Sequence, residues 1–299
     1  MNNQMKVLLA EYTTAHDPVL AREGRAMLGV LEESFSRCGY EVVRPDGGDF
    51  AEEIGRIAPA CDMGLVIAPD NLLSTFTMIL EQHTHNLGCG FMTVALCANK
   101  VQTQKILRQH GIPVPGEPEP GKRVVKPVRG CGAQGVRRSS GTPGPGEFAE
   151  RFIEGQHFSV SIIANRVVGE ACLYFTGNPP LVLAVNRQLI EIDADGAFHY
   201  RGGETPVHPD REEEIVSTAK KAAEVLGCQG YCGVDVVVAD KTYVVDVNPR
   251  ITTSLVGIAA CMDEEIADLL VAASKGGVPA AVHLPGRARF DTNGMVTKL

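Results

Sequence analysis

The chain of 299 residues contains no apolar run of about 18 residues, no CxxC pair, no internal repeat and no excess of positive charge. Each absence closes a class. Without a long apolar run there is no candidate membrane-spanning helix, and no segment reads as a signal peptide, so a soluble cytoplasmic protein is expected. The nine cysteines are odd in number. Cys228 and Cys232 lie close together but have no partners at zinc spacing, and most of the others sit in apolar runs such as "VALCAN", where a thiol acts as a small hydrophobe in a reducing compartment. A formal charge of -8 and a pI near 5.5 argue against nucleic acid or an anionic membrane as partner. Small-molecule chemistry is left, with a homo-oligomer also open.

What is present is ordinary globular composition, 44% hydrophobic and 21% charged, in a chain long enough for two or three compact units. The first part alternates strand and helix. "MKVLLAEY", "YEVVR" and "MGLVIAP" read as strands; "LAREGRAMLGVLEESFSRCG", "DFAEEIGRIA" and "LLSTFTMILEQHTHNLG" read as helices. That order predicts an α/β unit with a parallel sheet over residues 1–97, and ligands in such sheets lie beyond the carboxyl ends of the strands, here near Glu11, Tyr12 and Pro69 to Asn71, which read equally as surface loop residues. At "ANKVQTQKILRQHGIPVPGEPEPG" Asn99 caps a helix, Gly111 ends it, and a Pro/Gly linker follows. Residues 98–299 then read as α+β: short β-runs, the helix "PDREEEIVSTAKKAAEVLG", a hairpin "GVDVVVADKTYVVDVN", and "DEEIADLLVAAS" as a closing helix.

The hairpin carries the first chemical signal. In "VVDVNPR" Asp246 and Asn248 share a strand face, while Val245 and Val247 take the other. If the chain reverses at Asp240-Lys241 through an even-numbered loop, Asp235 falls opposite Asp246. Two acids so placed repel unless a cation lies between them, so Asp235, Asp246 and Asn248 form a candidate site for a hard divalent metal. On this reading, Asp246→Asn relieves repulsion and changes stability little.

"VVKPVRGCGAQGV" sets Gly130, Gly132 and Gly135 in the spacing GxGxxG after a strand. The following "VRRSSGTPGPG" cannot form the helix that a dinucleotide site requires, which also removes Glu154 as a ribose acid. Lys126 just before the glycines suggests a flexible lid over phosphates, although a plain Gly-rich hairpin fits the same residues. Downstream, "ERFIEGQHFSV" breaks a strand at Glu-Gly. The break offers the backbone of Phe152 and Ile153 to an adenine edge, flanked by Glu150 and His157. A simple β-turn with a structural histidine is the other reading.

Taken in order, these residues resemble the ATP-grasp superfamily over about Ala98 to Leu270, with Met5 to Val94 similar to its preceding α/β domain. The resemblance implies a two-lobed α+β domain holding ATP, with a small lid lobe at about 121–153 and a C-terminal lobe at about 154–299. It implies Lys100 and Lys126 on the phosphates, Gly130 to Gly135 as the mobile loop, and Glu150, Phe152, Ile153 and His157 at base and ribose. It also implies magnesium or manganese on Asp235, Asp246 and Asn248, and Arg250 beside the transferred phosphate, with Lys126 and Arg250 catalytic. The activity implied is an ATP-dependent ligation of a carboxylate to an amine through an acyl phosphate.

At a finer level "LLAEY", "EGRAML", "YRGGETPV" and "NPRITTSLVG" resemble the branch containing the tyramine-glutamate ligases of methanofuran biosynthesis. That resemblance implies glutamate and tyramine as substrates, with Arg201 or Arg250 for a carboxylate and Glu11 for the amine; a plain surface role is the other reading of Arg201. An amino-acid ligase of the pyrrolysine-pathway type and a non-catalytic nucleotide-binding protein are the alternatives.

Overall fold

The computed structural model describes residues 4–165, 168–170, 173–175 and 179–299, the backbone alone for 168–170 and 173–175. The alternating first part folds as expected into a parallel sheet, with Lys6–Glu11 between Glu41–Val43 and Met63–Ile67 and with His85–Asn86 at the edge. The interior of Lys6–Glu11 and all of Met63–Ile67 are apolar because both faces are covered by helices. Ala21–Arg37, Phe50–Ile57 and Asp70–Glu81 supply the covering. Asp49 starts the second of these by accepting from the amides of Ala51 and Glu52 at 3.0 Å. One expected helix was too long. "LLSTFTMILEQHTHNLG" is helical only to Glu81, and its end supplies the edge strand His85–Asn86. A short helix, Phe91–Cys97, was not anticipated.

Asn99 caps Lys100–Gln109 by accepting from Gln102 N at 3.2 Å, and Gly111 follows with φ +71°. Two sheets come next. Arg123–Pro127 is the centre of a three-stranded antiparallel sheet, between Arg137–Arg138 and Glu147–Arg151. A seven-stranded sheet then runs Thr242–Asn248, Gly230–Val238, Gln156–Ala164, Leu181–Ile192, Phe198–Thr205, Ala288–Phe290, Val296–Lys298. The last two strands correct the expectation that a helix closes the chain: Ile266–Ser274 forms, but the chain returns to pair with Phe198–Thr205. Three-residue strands are too short for a period-two pattern to show in sequence. Of the expected run "VVGEACLYFT", Val168–Glu170 and Leu173–Phe175 pair antiparallel and the rest lies outside the described residues.

Helix Glu212–Val225 packs on the seven-stranded sheet through Ile215, Ala219, Ala222 and Ala223, all fully buried against Val234, Val236 and Val244. The same apolar cluster continues through Leu8, Ile54 and Leu80 of the first unit. Each Val or Ile so buried contributes roughly 1.5–3 kcal/mol. No helix among the described residues is long and apolar enough to cross a membrane.

Candidate active site

The hairpin pairs Asp235 opposite Asp246, as its sequence suggests, but by a different route. Its loop is the odd run Ala239, Asp240, Lys241, which alone would set Asp235 against Val245. A bulge between the pairs Asp235/Asp246 and Val236/Val244 leaves Val245 unpaired and restores the acids to register. The bulge also turns Val245 toward the cleft, contrary to strict alternation, and its carbonyl accepts from Lys126 Nζ at 3.3 Å. Asn248 donates to Asp235 Oδ2 at 3.2 Å, and Gln188 to Asp235 Oδ1 at 3.0 Å. Among the described residues no group of three or more His, Cys, Asp or Glu side chains is placed to hold a metal. The hairpin offers two carboxylates and an amide.

A single cleft gathers residues from every unit of the fold. Its walls include Lys100, Lys126, Gly132, Glu150, Phe152, Ile153, His157, Asp235, Asp246, Asn248 and Arg250, and Gly130 also lines it. Gly135, with φ +71° and an absent Cβ that would come within 3.0 Å of Pro127, closes the same loop from outside the lining. In this loop Ala133 also takes a positive φ, and no helix follows.

Two largely buried ion pairs cross the cleft, Asp246 being their most exposed member at 23%. Lys100 begins its helix with 6% exposure and reaches Asp246 Oδ2 at 2.5 Å; its amide donates to Val128 O at 3.0 Å, fixing the start of the glycine loop. Burial works against the Lys100 ammonium, but Asp246, then Asp70, outweighs it and its pKa is raised. Lys126 pairs with Glu150, which also accepts from Gln104. The register Val124↔Glu150 puts Lys126 and Glu150 diagonally on one face. Beside them, burial and then the Lys126 charge lower the His157 pKa, so the ring is neutral at pH 7. Phe152 meets Phe198 edge to face at 6.2 Å between centroids, and the Arg138 guanidinium lies over the Phe152 ring at 4.6 Å.

Arg250 follows the hairpin and Pro249. Its guanidinium donates to Asp70 Oδ1 and Asn248 Oδ1 at 3.3 Å and to Ile251 O at 3.1 Å. Burial opposes its charge, and Asp70 foremost among its neighbours raises the pKa. Asp70 belongs to the Pro69 to Asn71 segment singled out at the strand end.

Two expected substrate residues lie elsewhere. Arg201 is exposed and pairs with Glu191 at 2.8 Å, because its strand turns Phe198 and Tyr200 into the cleft and Arg201 away. Glu11 is buried, but both its oxygens cap the turn after its own strand, accepting from Thr13 N at 2.7 Å and Thr14 N at 2.8 Å and from the Thr13 hydroxyl. The acid of the first unit that enters the cleft is instead Glu23, which accepts from Thr253 Oγ1. Glu23 lies within "EGRAML", but only the docking of Ala21–Arg37 against Thr253 brings it to the wall. Burial, then the charges of Glu23 and Asp235, pushes the Tyr200 phenol well up, so it stays protonated.

Asp235 has a pKa raised to about 7, first by burial and then by Asp246, against the opposing Lys100, Asn248 and Arg250. The folded protein therefore keeps a proton that the unfolded chain releases at about pH 4. Stability from this group is fully present below that pH and is lost as pH rises through about 7. In protein treated with EDTA, Tm is expected to fall between pH 5 and 8, with a flatter profile for Asp235→Asn. Identical slopes in the two proteins would show Asp235 ionised throughout.

A profile of the ATP-grasp domain matches residues 97–254. The chain is 31% identical over 214 residues to a tyramine–L-glutamate ligase of Methanocaldococcus fervens, covering 70% of this chain and 65% of that one, so it spans just under two thirds of the ligase's length. It is 27% identical over 284 residues to a D-alanine–D-alanine ligase of Desulforudis audaxviator, covering 79% of this chain and 84% of that one. The crystal structure of an ATP-grasp superfamily protein from Archaeoglobus fulgidus superposes with a TM-score of 0.77 at 29% identity, covering 96% and 92% of the two chains. Since the matched segment exceeds half of the chain and contains the lysine pairs, the glycine loop and the acid hairpin, the chain belongs to the ATP-grasp family.

Proposed function

We propose that the protein is an ATP-dependent carboxylate-amine ligase that activates its acid as an acyl phosphate, and that the acid and amine are glutamate and tyramine, giving γ-glutamyltyramine. The observation that carries this reading is the convergence of Lys100, Lys126, Arg250 and the Asp235/Asp246 pair on one cleft. The donor set suits a hard divalent cation such as magnesium: a carboxyl held near pKa 7 by burial and a second acid gains most from a positive charge beside it. Asp235, Asp246 and Asn248 would hold the ion, which when bound neutralises phosphate charge. Val124, Phe152, Ile153 and Val237 form the apolar slot for a base. Lys100 and Lys126 then exchange their carboxylate partners for phosphate oxygens, and the glycine loop keeps water from the activated acid.

Glu23 takes the role that Glu11 has in the sequence reading: it is the acid on the cleft wall beside Tyr200 and Thr253, suited to an amine. Losing a charge-assisted hydrogen bond is worth about 1.5–3 kcal/mol. Glu23→Gln should therefore raise KM for the amine about 10- to 100-fold and leave KM for ATP unchanged. Equal effects on both would remove Glu23 from the amine site.

The reaction itself is tested by ADP release with magnesium, glutamate and tyramine, followed by mass spectrometry. A γ-glutamyl amide is the expected product. A dipeptide from two amino acids with no tyramine adduct overturns the substrate assignment in favour of an amino-acid ligase. No ADP with any acid and amine pair overturns the ligase reading in favour of a nucleotide-binding protein.

A further inference from the structure

A polar row crosses the apolar seven-stranded sheet. Asp246 opposes Asp235, Asp235 opposes Ser159, and Ser159 opposes Asn186. The pair Arg187↔Glu204 then sets Thr205 beside Asn186 on the next strand. Ladder partners share a face, so the row continues from the cleft floor to beneath helix Ser254–Ala259. There it is sealed: a Cβ at Gly257 would come within 2.8 Å of Thr205 Cγ2 and 2.5 Å of Phe290.

Asn186 is the centre of this row. Its side chain is fully buried and does not line the cleft. Its Nδ2 donates to Ser159 O at 3.1 Å, Ser159 Oγ at 3.2 Å and Ser161 Oγ at 3.0 Å. Two branches leave from these hydroxyls. Ser159 Oγ lies 3.4 Å from Ser254 Oγ. Ser161 Oγ accepts from Tyr231 OH at 2.8 Å, and Tyr231 OH lies 3.0 Å from Thr252 Oγ1. Both branches therefore end on the segment Arg250–Ser254, whose Arg250, Thr252, Thr253 and Ser254 all line the cleft.

An apolar side chain would fill the Asn186 position without the cost of burying an amide, roughly 1–3 kcal/mol where hydrogen bonds are incomplete. Here they are incomplete: among the described residues Asn186 Oδ1 has no partner. Stability does not account for the choice, whereas geometry does. We propose that Asn186 is a positioning residue, which holds Ser254 and Thr252 from beneath through Ser159, Ser161 and Tyr231 and so fixes the acceptor wall of the cleft. This rests on the ligase reading for its kinetic consequence, but not for its structural one.

The test measures amide exchange across residues 250–259 in Asn186→Leu, with ADP binding by calorimetry and the two substrate KM values. Exchange in that segment is expected to quicken at least tenfold, an opening about 1.4 kcal/mol easier. KM for the amine should rise by a similar factor, while ADP affinity and KM for ATP stay within about twofold. Unchanged exchange at 250–259, or loosening of the whole sheet with both KM values raised alike, overturns the proposal. Should the leucine variant not fold, Ser161→Ala cuts only the Tyr231 branch, and the same expectations then apply to Thr252 and its neighbours. A wild-type protein without ligase activity removes the function reading, while the exchange arm still decides the role of Asn186.

Discussion

Asp246→Asn is expected to lower turnover by about 10²–10³-fold, the range seen when one preorganised electrostatic group is removed, and also to destabilise the protein. The hairpin considered alone predicts little change in stability, because Asp235 and Asp246 repel. The structure reverses that expectation. Asp246 is the 2.5 Å partner of Lys100, whose side chain is 7% exposed, so the variant leaves a buried ammonium without its nearest counter-charge. Breaking a buried pair by removing one partner costs roughly 3–5 kcal/mol, and Asp70 and Asp235 near Lys100 hold the loss toward the lower end. Denaturant unfolding and ADP release together check it. Near-normal ligation by a variant of unchanged stability would sink both the metal assignment and the ion-pair argument.

Lys126→Met has the second large effect, and it separates catalysis from stability. In the free protein Lys126 holds Glu150, 4% exposed, and caps the carbonyl of the bulge residue Val245. Its loss is expected to weaken ATP binding, to slow phosphoryl transfer by about 10²-fold or more, and to strand the Glu150 charge with Gln104 alone. The double variant Lys126→Met/Glu150→Gln should regain most of the lost stability, since no buried charge is then unpaired, but none of the activity. Recovery of both would make the pair purely structural. Recovery of neither would mean that Lys126 supports the bulge more than it supports Glu150.

Much of this was legible because the signals were local. The alternation that put Asp246 and Asn248 on one strand face survived folding, as did the parallel first sheet and the GxGxxG loop followed by no helix. What failed depended on parity or on docking. Arg201 and Tyr200 are neighbours on one strand, and a strand's sequence does not say which parity faces the ligand. Glu11 stands at a strand end where ligands collect, yet the turn after it consumes both its oxygens. Glu23 shows nothing in a helical pattern, because only contact with Thr253, 230 positions away, gives it a place on the cleft wall.

The sequence by itself determined the α/β then α+β character and the shared face of Asp246 and Asn248, since these follow from side-chain periodicity over short spans; Lys100 and Arg250 entered only through the family resemblance, and Glu23 not at all. The tertiary structure alone decided which carboxylates and ammonium groups meet. Lys100 finds Asp246, Lys126 finds Glu150 and Arg250 finds Asp70 across separations of 146, 24 and 180 residues. Such pairs form because burying one charge demands another within a few ångströms, and which one is near depends on how the sheets and helices pack. The bulge at Val245 makes the same point within a single hairpin. An odd loop and one extra residue cancel to give the register that an even loop would have given, and only the folded ladder distinguishes the two.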